Sequence, residues 1–226
     1  MIALSPSPAL TLVDGTRTSD VETAVTEVRE LLREEGRAVA TWIVGPLSEP
    51  TDLEARLLEL GLGAADGGAF ESTGSALAID RAPKIDVPAD VRVREVTEAV
   101  DVRTSLAIEL RCNGISDDIA PTWLEPMVAT FDPSTHSLFL AEIDGEPVAA
   151  GATVPTADGV WLTGAGTLPE ARGRGAYRAL LTARWQQAVD RGTPAMVVQA
   201  GSMSRPVLER AGFVYLGELR YLRDEL

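Results

Sequence analysis

A glycine-rich loop between an apolar strand and a helix constrains this chain more than any other stretch. The segment GTLPEARGRGAYRALL, residues 166–181, follows the strand-like run GVWLTGAG and leads into a helical pattern. The first amides of a helix have no partner within the helix and carry partial positive charge. Glycines have no side chain to keep an anion away from these amides. The loop is therefore predicted to hold a phosphate group, with a plain strand-turn-helix junction as the alternative.

The composition restricts the classes of protein to which the chain can belong. Its formal net charge of −14 argues against nucleic-acid binding, which needs clustered cations. A single cysteine, Cys112, and a single histidine, His136, predict neither a disulfide framework nor a metal centre. The sequence has no apolar run of about 18 residues and no signal-peptide pattern. We therefore expect a cytoplasmic protein without a membrane partner.

Prolines mark a boundary in the stretch IDRAPKIDVPADVRVREV, because Pro83 and Pro88 favour an extended connector. We predict a smaller αβ domain over residues 1–88 and a larger one over 89–226. The larger one has the predicted order β, α, α, β, β, β, α, β, α, β, with a hairpin turn at Asp144–Gly145 and the last strands in FVYLGELRYLRDEL. This is an α/β fold of the α+β kind, with helices on both faces of a mixed, mainly antiparallel sheet.

The N-terminal part contains a segment that weakly resembles a segment of the larger domain, as in an internal repeat. Its first helix, DVETAVTEVRELLREEG, is amphipathic, and either Ser19 or Asp20 is placed to cap it. Further on, SEPTDLEARLLELGL resembles SMSRPVLERAGF, and each segment follows an apolar strand. One interpretation is a degenerate copy of half of the larger domain. The alternative is two ordinary βα units that look alike because helices often end in glycine.

The loop matches neither of the common nucleotide-binding patterns, since G-x-x-x-x-G-K-[ST] and G-x-G-x-x-G are both absent. It resembles the loop of the GCN5-related N-acetyltransferase (GNAT) superfamily, written [QR]-x-x-G-x-[GA]. Arg172, Gly175 and Tyr177 occupy its defined positions, with Tyr177 in place of a small residue. The segment LERAGF also fits, and the resemblance covers about residues 91–226.

The resemblance implies acetyl-CoA as the acyl-donor cosubstrate, bound where the strand before the loop separates from its neighbour. Two sets of backbone groups would hold it. Those of Ala165, Gly166 and Thr167 would pair with the pantetheine amides. The amides of Arg172, Gly173, Arg174, Gly175, Ala176, Tyr177 and Arg178 would hold the pyrophosphate.

Acetyl transfer to an amine needs a base, a donor to the tetrahedral oxyanion and a proton for the leaving thiolate. An amide near Thr167 or Leu168 is placed to be the oxyanion donor. Many members of the family use a tyrosine as the acid, and that position is Leu208 here. An asparagine common in the same region corresponds to Gly201. Neither of the usual polar side chains is present.

Ser204, Asp117 and Glu109 are the remaining candidates for catalysis. Ser204 lies one helical turn before Leu208, where its hydroxyl is placed either to contact the cofactor or to cap the helix. Glu109 and Asp117 lie in and after the first helix of the larger domain, where the resemblance implies the acceptor pocket. Acidic groups there are placed either to attract and deprotonate an amine or to cap the second helix.

The function predicted from these residues is an acetyl-CoA-dependent N-acetyltransferase that modifies a primary amine of a small molecule or protein. The alternative is a non-catalytic domain that binds CoA or acetyl-CoA as a sensor or interaction module. The N-terminal part has two predicted roles, either covering the acceptor side or forming a homodimer contact.

Overall fold

The computed structural model describes residues 2–4, 11–65, 71–116 and 118–226. It divides into two compact units, of which unit 1 comprises Met1–Ala76 with Leu216–Leu226 and unit 2 comprises Leu77–Tyr215. The cut predicted at Pro88 differs from this division, because the connector packs with unit 2 and the last strand of the chain returns to unit 1. No helix in the described ranges is long and apolar enough to cross a membrane.

The elements follow one another along the chain without long gaps. The first seven, which end with the strand β5 that crosses the boundary between the units, are β1 (Ile2–Leu4), β2 (Thr11–Val13), α1 (Val21–Glu34), β3 (Val39–Val44), α2 (Leu53–Glu59), β4 (Gly63–Ala64) and β5 (Thr73–Ile79). The remaining elements are β6 (Val91–Glu95), α3 (Ala99–Cys112), α4 (Ala120–Thr130), β7 (Ser137–Ile143), β8 (Glu146–Pro155), β9 (Val160–Thr167), α5 (Ala176–Asp190), β10 (Met196–Ala200), α6 (Arg205–Ala211) and β11 (Val214–Glu225).

Unit 1 is built around a parallel strand pair joined by a helix. Strand β2 pairs in parallel with β3, α1 connects them, and β11 pairs antiparallel with the other edge of β3. Asp20 is the N-cap of α1, as predicted, and its carboxylate accepts a hydrogen bond from the Thr23 amide at 3.0 Å. The predicted first helix, α1, and the apolar strand before SEPTDLEARLLELGL, β3, are confirmed. Strands β1, β2 and β4 were not predicted, because two or three residues carry no readable periodicity.

Unit 2 contains five neighbouring strands in the order β10-β9-β8-β7-β6, and only β9 and β10 are parallel. The predicted hairpin turn lies between β7 and β8, where Asp144 and Gly145 both have positive φ, 57° and 83°. The segment expected to form the last strands is a single long strand, β11. The predicted fold class, a mixed and mainly antiparallel sheet with helices, is confirmed.

Side chains of β7 and β8 alternate between two helical layers. Leu138 and Leu140 pack in one cluster with Leu106 of α3, which also includes residues of α4. Phe139 and Ala141 pack in another cluster with α5. Since successive strand residues point to opposite faces, α3 and α4 cover one face of the unit 2 sheet and α5 covers the other.

Candidate active site

A bulge in β9 lies at the centre of the candidate site. Thr163 pairs with Ala152 of β8 and Gly166 pairs with Ala150, so the two β9 residues between them oppose only one residue, Gly151. Gly164, in the bulge, has a φ of +54°, which glycine adopts without strain. The extra residue breaks the regular ladder here and re-aims the backbone groups that follow it.

The pairing of β9 with β10 ends just before this bulge. The two strands are in register only over Val160–Leu162 and Met196–Val198. The rest of β9 has no register with β10, which is the separation implied by the family resemblance. The hydroxyl of Thr167, at the end of β9, is buried and has no hydrogen-bond partner within the described ranges of the chain. Backbone and hydroxyl groups are therefore available for an extended polar ligand along this edge.

The loop after β9 has the backbone geometry of an anion cradle. A 3-10 turn at Pro169–Ala171 leads to Gly173 and Gly175, with φ values of +80° and +92°. Gly175 is the N-cap of α5, so no side chain occupies the first amides of that helix. A Cβ at Gly175 would lie 2.6 Å from the Cδ of Pro88, so glycine is required there on steric grounds as well.

The arginines of the loop are held by protein groups. Arg172 donates from Nε to the Thr167 carbonyl at 3.3 Å. Arg174 forms exposed ion pairs with Asp144 at 3.2 Å and Asp90 at 3.6 Å. The charge of Arg174 is thus partly neutralised, and the helix amides are the stronger anion-binding feature of the loop.

Glu109 of α3 lies directly over the bulge. A Cβ built on Gly164 would be 2.6 Å from Glu109 Oε2, so the carboxyl occupies the space that this glycine leaves open. The residue is partly buried, and burial raises the pKa of its carboxyl from 4.5 to about 7. A carboxyl with a pKa near neutrality is suited to proton exchange with an amine.

The other two catalytic candidates are less informative. Ser204 is at the N-cap position of α6, yet its side chain makes no capping bond to a helix amide; its hydroxyl donates to the Gly201 carbonyl at 3.3 Å. Asp117 lies outside the described residues. Its neighbour Asp118 accepts a hydrogen bond from Ser116, which contributes to lowering the pKa of Asp118. The N-cap of α4 is Ile119, so no side chain caps that helix. Leu208 is fully buried in the core.

Sequence reasoning missed Arg184, which lies below the bulge on the face covered by α5. The residue has no exposed surface, and a Cβ on Gly151 would lie 3.2 Å from its Cζ. Its place in the helical pattern carries a signal, since Leu180, Leu181, Arg184 and Ala188 are all buried on α5. An arginine on the apolar stripe of a helix is the feature that identifies it.

The comparisons with known proteins agree with this geometry. Residues 106–213 match the acetyltransferase (GNAT) family model. A GCN5-related N-acetyltransferase from Kribbella flavida has a TM-score of 0.70 at 22% identity, covering 95% of this chain and 80% of that chain. A second, from Sphaerobacter thermophilus, has a TM-score of 0.64 at 20% identity, covering 99% of this chain and 75% of that chain. At these identities the likeness establishes the fold.

A tandem GNAT protein from the clavulanic acid biosynthesis pathway is similar over a comparable length. Its TM-score is 0.61 at 17% identity, with 99% of this chain and 77% of that chain covered. No curated protein matches this chain significantly in sequence. The match of residues 106–213 to the GNAT family model confirms the resemblance predicted from the sequence. Acetyltransferases of this family take the acetyl group from acetyl-CoA, the donor that the resemblance implies.

Proposed function

We propose that this protein is an acetyl-CoA-dependent N-acetyltransferase whose acceptor is a primary amine. The observation that carries the proposal is the position of Glu109 over the bulge at Gly164, beside the edge of β9 that β10 leaves unpaired. A proton-exchanging group thereby lies next to a strand edge suited to the pantetheine arm.

In this proposal the cosubstrate lies along β9 and ends at the loop. Backbone groups of Ala165, Gly166 and Thr167 pair with the pantetheine amides, and the free amides at the start of α5 hold the pyrophosphate. Two structural observations support the fit. The Thr167 hydroxyl is buried without a partner, and Gly175 has no side chain and is followed by uncapped helix amides.

The proposed reaction forms a C–N bond and breaks a C–S bond. Glu109, as a carboxylate, takes a proton from the ammonium form of the acceptor, and the free amine then attacks the thioester carbonyl. A backbone amide near Thr167 or Leu168 donates to the oxyanion of the tetrahedral intermediate. When the intermediate collapses, the thiolate leaves and takes the second amine proton, so no separate acid is required in place of Leu208.

The experiment that tests this function measures the release of free thiol from acetyl-CoA in the presence of an amine panel. The panel contains aralkylamines, polyamines, amino acids and peptides with free amino termini. Amine-dependent thiol release and an acetylated product of the expected mass support the proposal. Absence of product from every amine, with CoA binding intact, would contradict it.

One observation favours a second candidate, a domain that binds CoA without catalysis. Leu208 is packed in the core at the position where many family members have a catalytic tyrosine. A CoA-binding sensor would retain the loop and the unpaired edge of β9 while it lacked turnover. The same assay separates the two candidates, because only the enzyme consumes acetyl-CoA when an amine is added.

We further propose that unit 1 is a degenerate copy of half a GNAT domain. The unit β2-α1-β3, a parallel pair joined by a helix, repeats the connection β9-α5-β10 in unit 2. A seven-residue helix follows each pair, α2 or α6, and a glycine with positive φ follows soon after each helix, Gly61 or Gly212. The similarity in fold to a tandem GNAT protein supports this proposal.

A further inference from the structure

Arg184 is a buried cation without a carboxylate partner. Its guanidinium donates from Nε to the Leu180 carbonyl at 3.2 Å and from Nη1 to the Ala152 carbonyl at 3.4 Å. Nη2 is buried and has no hydrogen-bond partner among the residues that the structure describes. Within the described part of the chain no carboxylate forms an ion pair with it, and burial lowers the pKa of the guanidinium. Natural proteins rarely retain such a group without a reason.

The guanidinium lies against the bulge from the face opposite Glu109. The missing side chain of Gly151 makes room for it, since a Cβ there would be 3.2 Å from both Cζ and Nη1 of Arg184. The same Cβ position is 3.5 Å from the Cβ of Ala165 in the bulge. The Ala152 carbonyl that accepts from Nη1 belongs to the β8 residue that pairs with Thr163, at the start of the bulge.

Its polar neighbour is the hydroxyl of Tyr177, one of the residues at the start of α5. Burial raises the pKa of this hydroxyl, and the nearby guanidinium opposes that shift without cancelling it. Tyr177 packs its ring into the core cluster of α5, α6 and β10. The Tyr177 hydroxyl interacts with the guanidinium but is neutral, so it does not balance the charge of Arg184, and no carboxylate in the described part of the chain does so.

We infer that Arg184 is a positioning residue for acetyl transfer, and this inference rests on the proposed function. It holds the bulge in β9 through the Ala152 carbonyl and the space at Gly151. Its positive charge, fixed in an interior of low dielectric constant beside the bulge, favours the negative charge that develops on the thioester oxygen and sulfur during transfer. A purely structural role does not require a charge, because a neutral side chain can pack against Gly151 as well.

The test compares Arg184→Met, Arg184→Lys and Arg184→Gln with Arg191→Met, which makes the same chemical change at the exposed end of the same helix. For each variant we measure kcat and KM for acetyl-CoA, the Kd of CoA by calorimetry and the thermal midpoint. We expect R184M to fold with an unchanged or higher midpoint, because replacing an unpaired buried charge by an apolar group is often stabilising. Its kcat should fall roughly 10- to 100-fold, less than for loss of a direct oxyanion donor.

The Kd of CoA should change less than about threefold in R184M. A lower kcat with nearly unchanged binding would show that Arg184 acts on the transition state and not on binding of CoA. R184K should recover most of the lost kcat, because it restores the charge, whereas R191M should match the wild type. If R184M does not fold, R184Q replaces it as the neutral variant, since its amide keeps a hydrogen-bond donor in the buried space. The inference is overturned if the neutral variant that folds keeps kcat within twofold of the wild type, or if R184K is as slow as that variant.

A wild-type protein that binds CoA but acetylates no amine overturns the proposed function as well, whereas an active wild type with an equally active neutral variant overturns this inference alone.

Discussion

The side chain of Cys112 lies directly against the backbone of Gly166. A Cβ at Gly166 would be 2.3 Å from the Cβ of Cys112 and 2.7 Å from its Sγ. Gly166 is one of the β9 residues proposed to pair with pantetheine, and Cys112 is the last residue of α3. The close approach of this helix end to the strand therefore depends on the absence of a side chain at Gly166.

Gly166→Ala should reduce both stability and CoA affinity, because α3 must move away from β9 to admit the methyl group. Cys112→Gly removes both clashing atoms at a helix end, where glycine costs little. In the C112G background the G166A substitution should therefore be less costly, with a coupling of about 1–3 kcal/mol in a double-mutant cycle. Urea unfolding of the four proteins measures this coupling. Additive effects would show that the two residues are not in contact.

The activity should depend on ionisation of Glu109. Because burial raises the pKa of its carboxyl to about 7, most of it is protonated at pH 6 and ionised at pH 8. As a base Glu109 must be ionised, so kcat/KM should rise with pH around a midpoint near pH 7. Glu109→Gln should abolish this rise and lower the rate at pH 8 roughly 100-fold. Glu125→Gln is the control, since the ion pair with Arg103 lowers the pKa of Glu125. An unchanged profile in E109Q would rule out Glu109 as the base.

The same pKa shift predicts a pH-dependent difference in stability. A carboxyl whose pKa is higher in the folded state than in the unfolded state binds more protons when folded. The free energy of unfolding therefore falls as the pH rises from about 4.5 to about 7, relative to a variant without that group. Glu109→Gln should accordingly be more stabilising at pH 8 than at pH 5. Thermal melts of E109Q and the wild type at both pH values measure this, and a difference independent of pH would contradict it.

Glycine at the start of α5 should be needed for binding as well as for folding. Gly175 and Gly192 both have positive φ, +92° and +76°, but only Gly175 has a close neighbour, Pro88. Alanine at either position should cost about 1–3 kcal/mol of stability through backbone strain. Gly175→Ala should in addition weaken CoA binding at least about tenfold, because it moves the loop and its amides. Calorimetric titration with CoA tests this, and equal affinities for G175A and G192A would contradict the assignment of the loop.

Each chain should bind one molecule of CoA. The helix α1 corresponds to α5 in the proposed repeat, but the carboxylate of Asp20 already accepts from the Thr23 amide at its N-terminus. A negative charge at this place repels an anion and satisfies one of the free amides. Calorimetry should therefore give a stoichiometry near one. A value near two would show that the first unit also binds the cofactor.

Much of the fold could be predicted because the segments of unit 2 combine clear periodicity with strong turn residues. Asp144–Gly145 fixed the hairpin between β7 and β8, and Gly212 marked the end of α6. The two units were harder to delimit, since chain order says nothing about which unit a late strand such as β11 joins. Arg184 also escaped prediction. Its position on the apolar stripe of α5 can be read from the sequence, but the space that Gly151 leaves for its side chain is visible only in the structure.

The return of β11 to unit 1 has a consequence for how the protein is made. Strand β3 belongs to the first fifth of the chain, yet Val39–Val44 pair with Arg220–Glu225. The ribosome has therefore synthesised all of unit 2 before the partner of β3 leaves the exit tunnel. Although unit 1 begins first in translation, it is completed last, and the buried Asp224 meets Arg29 only in that final step.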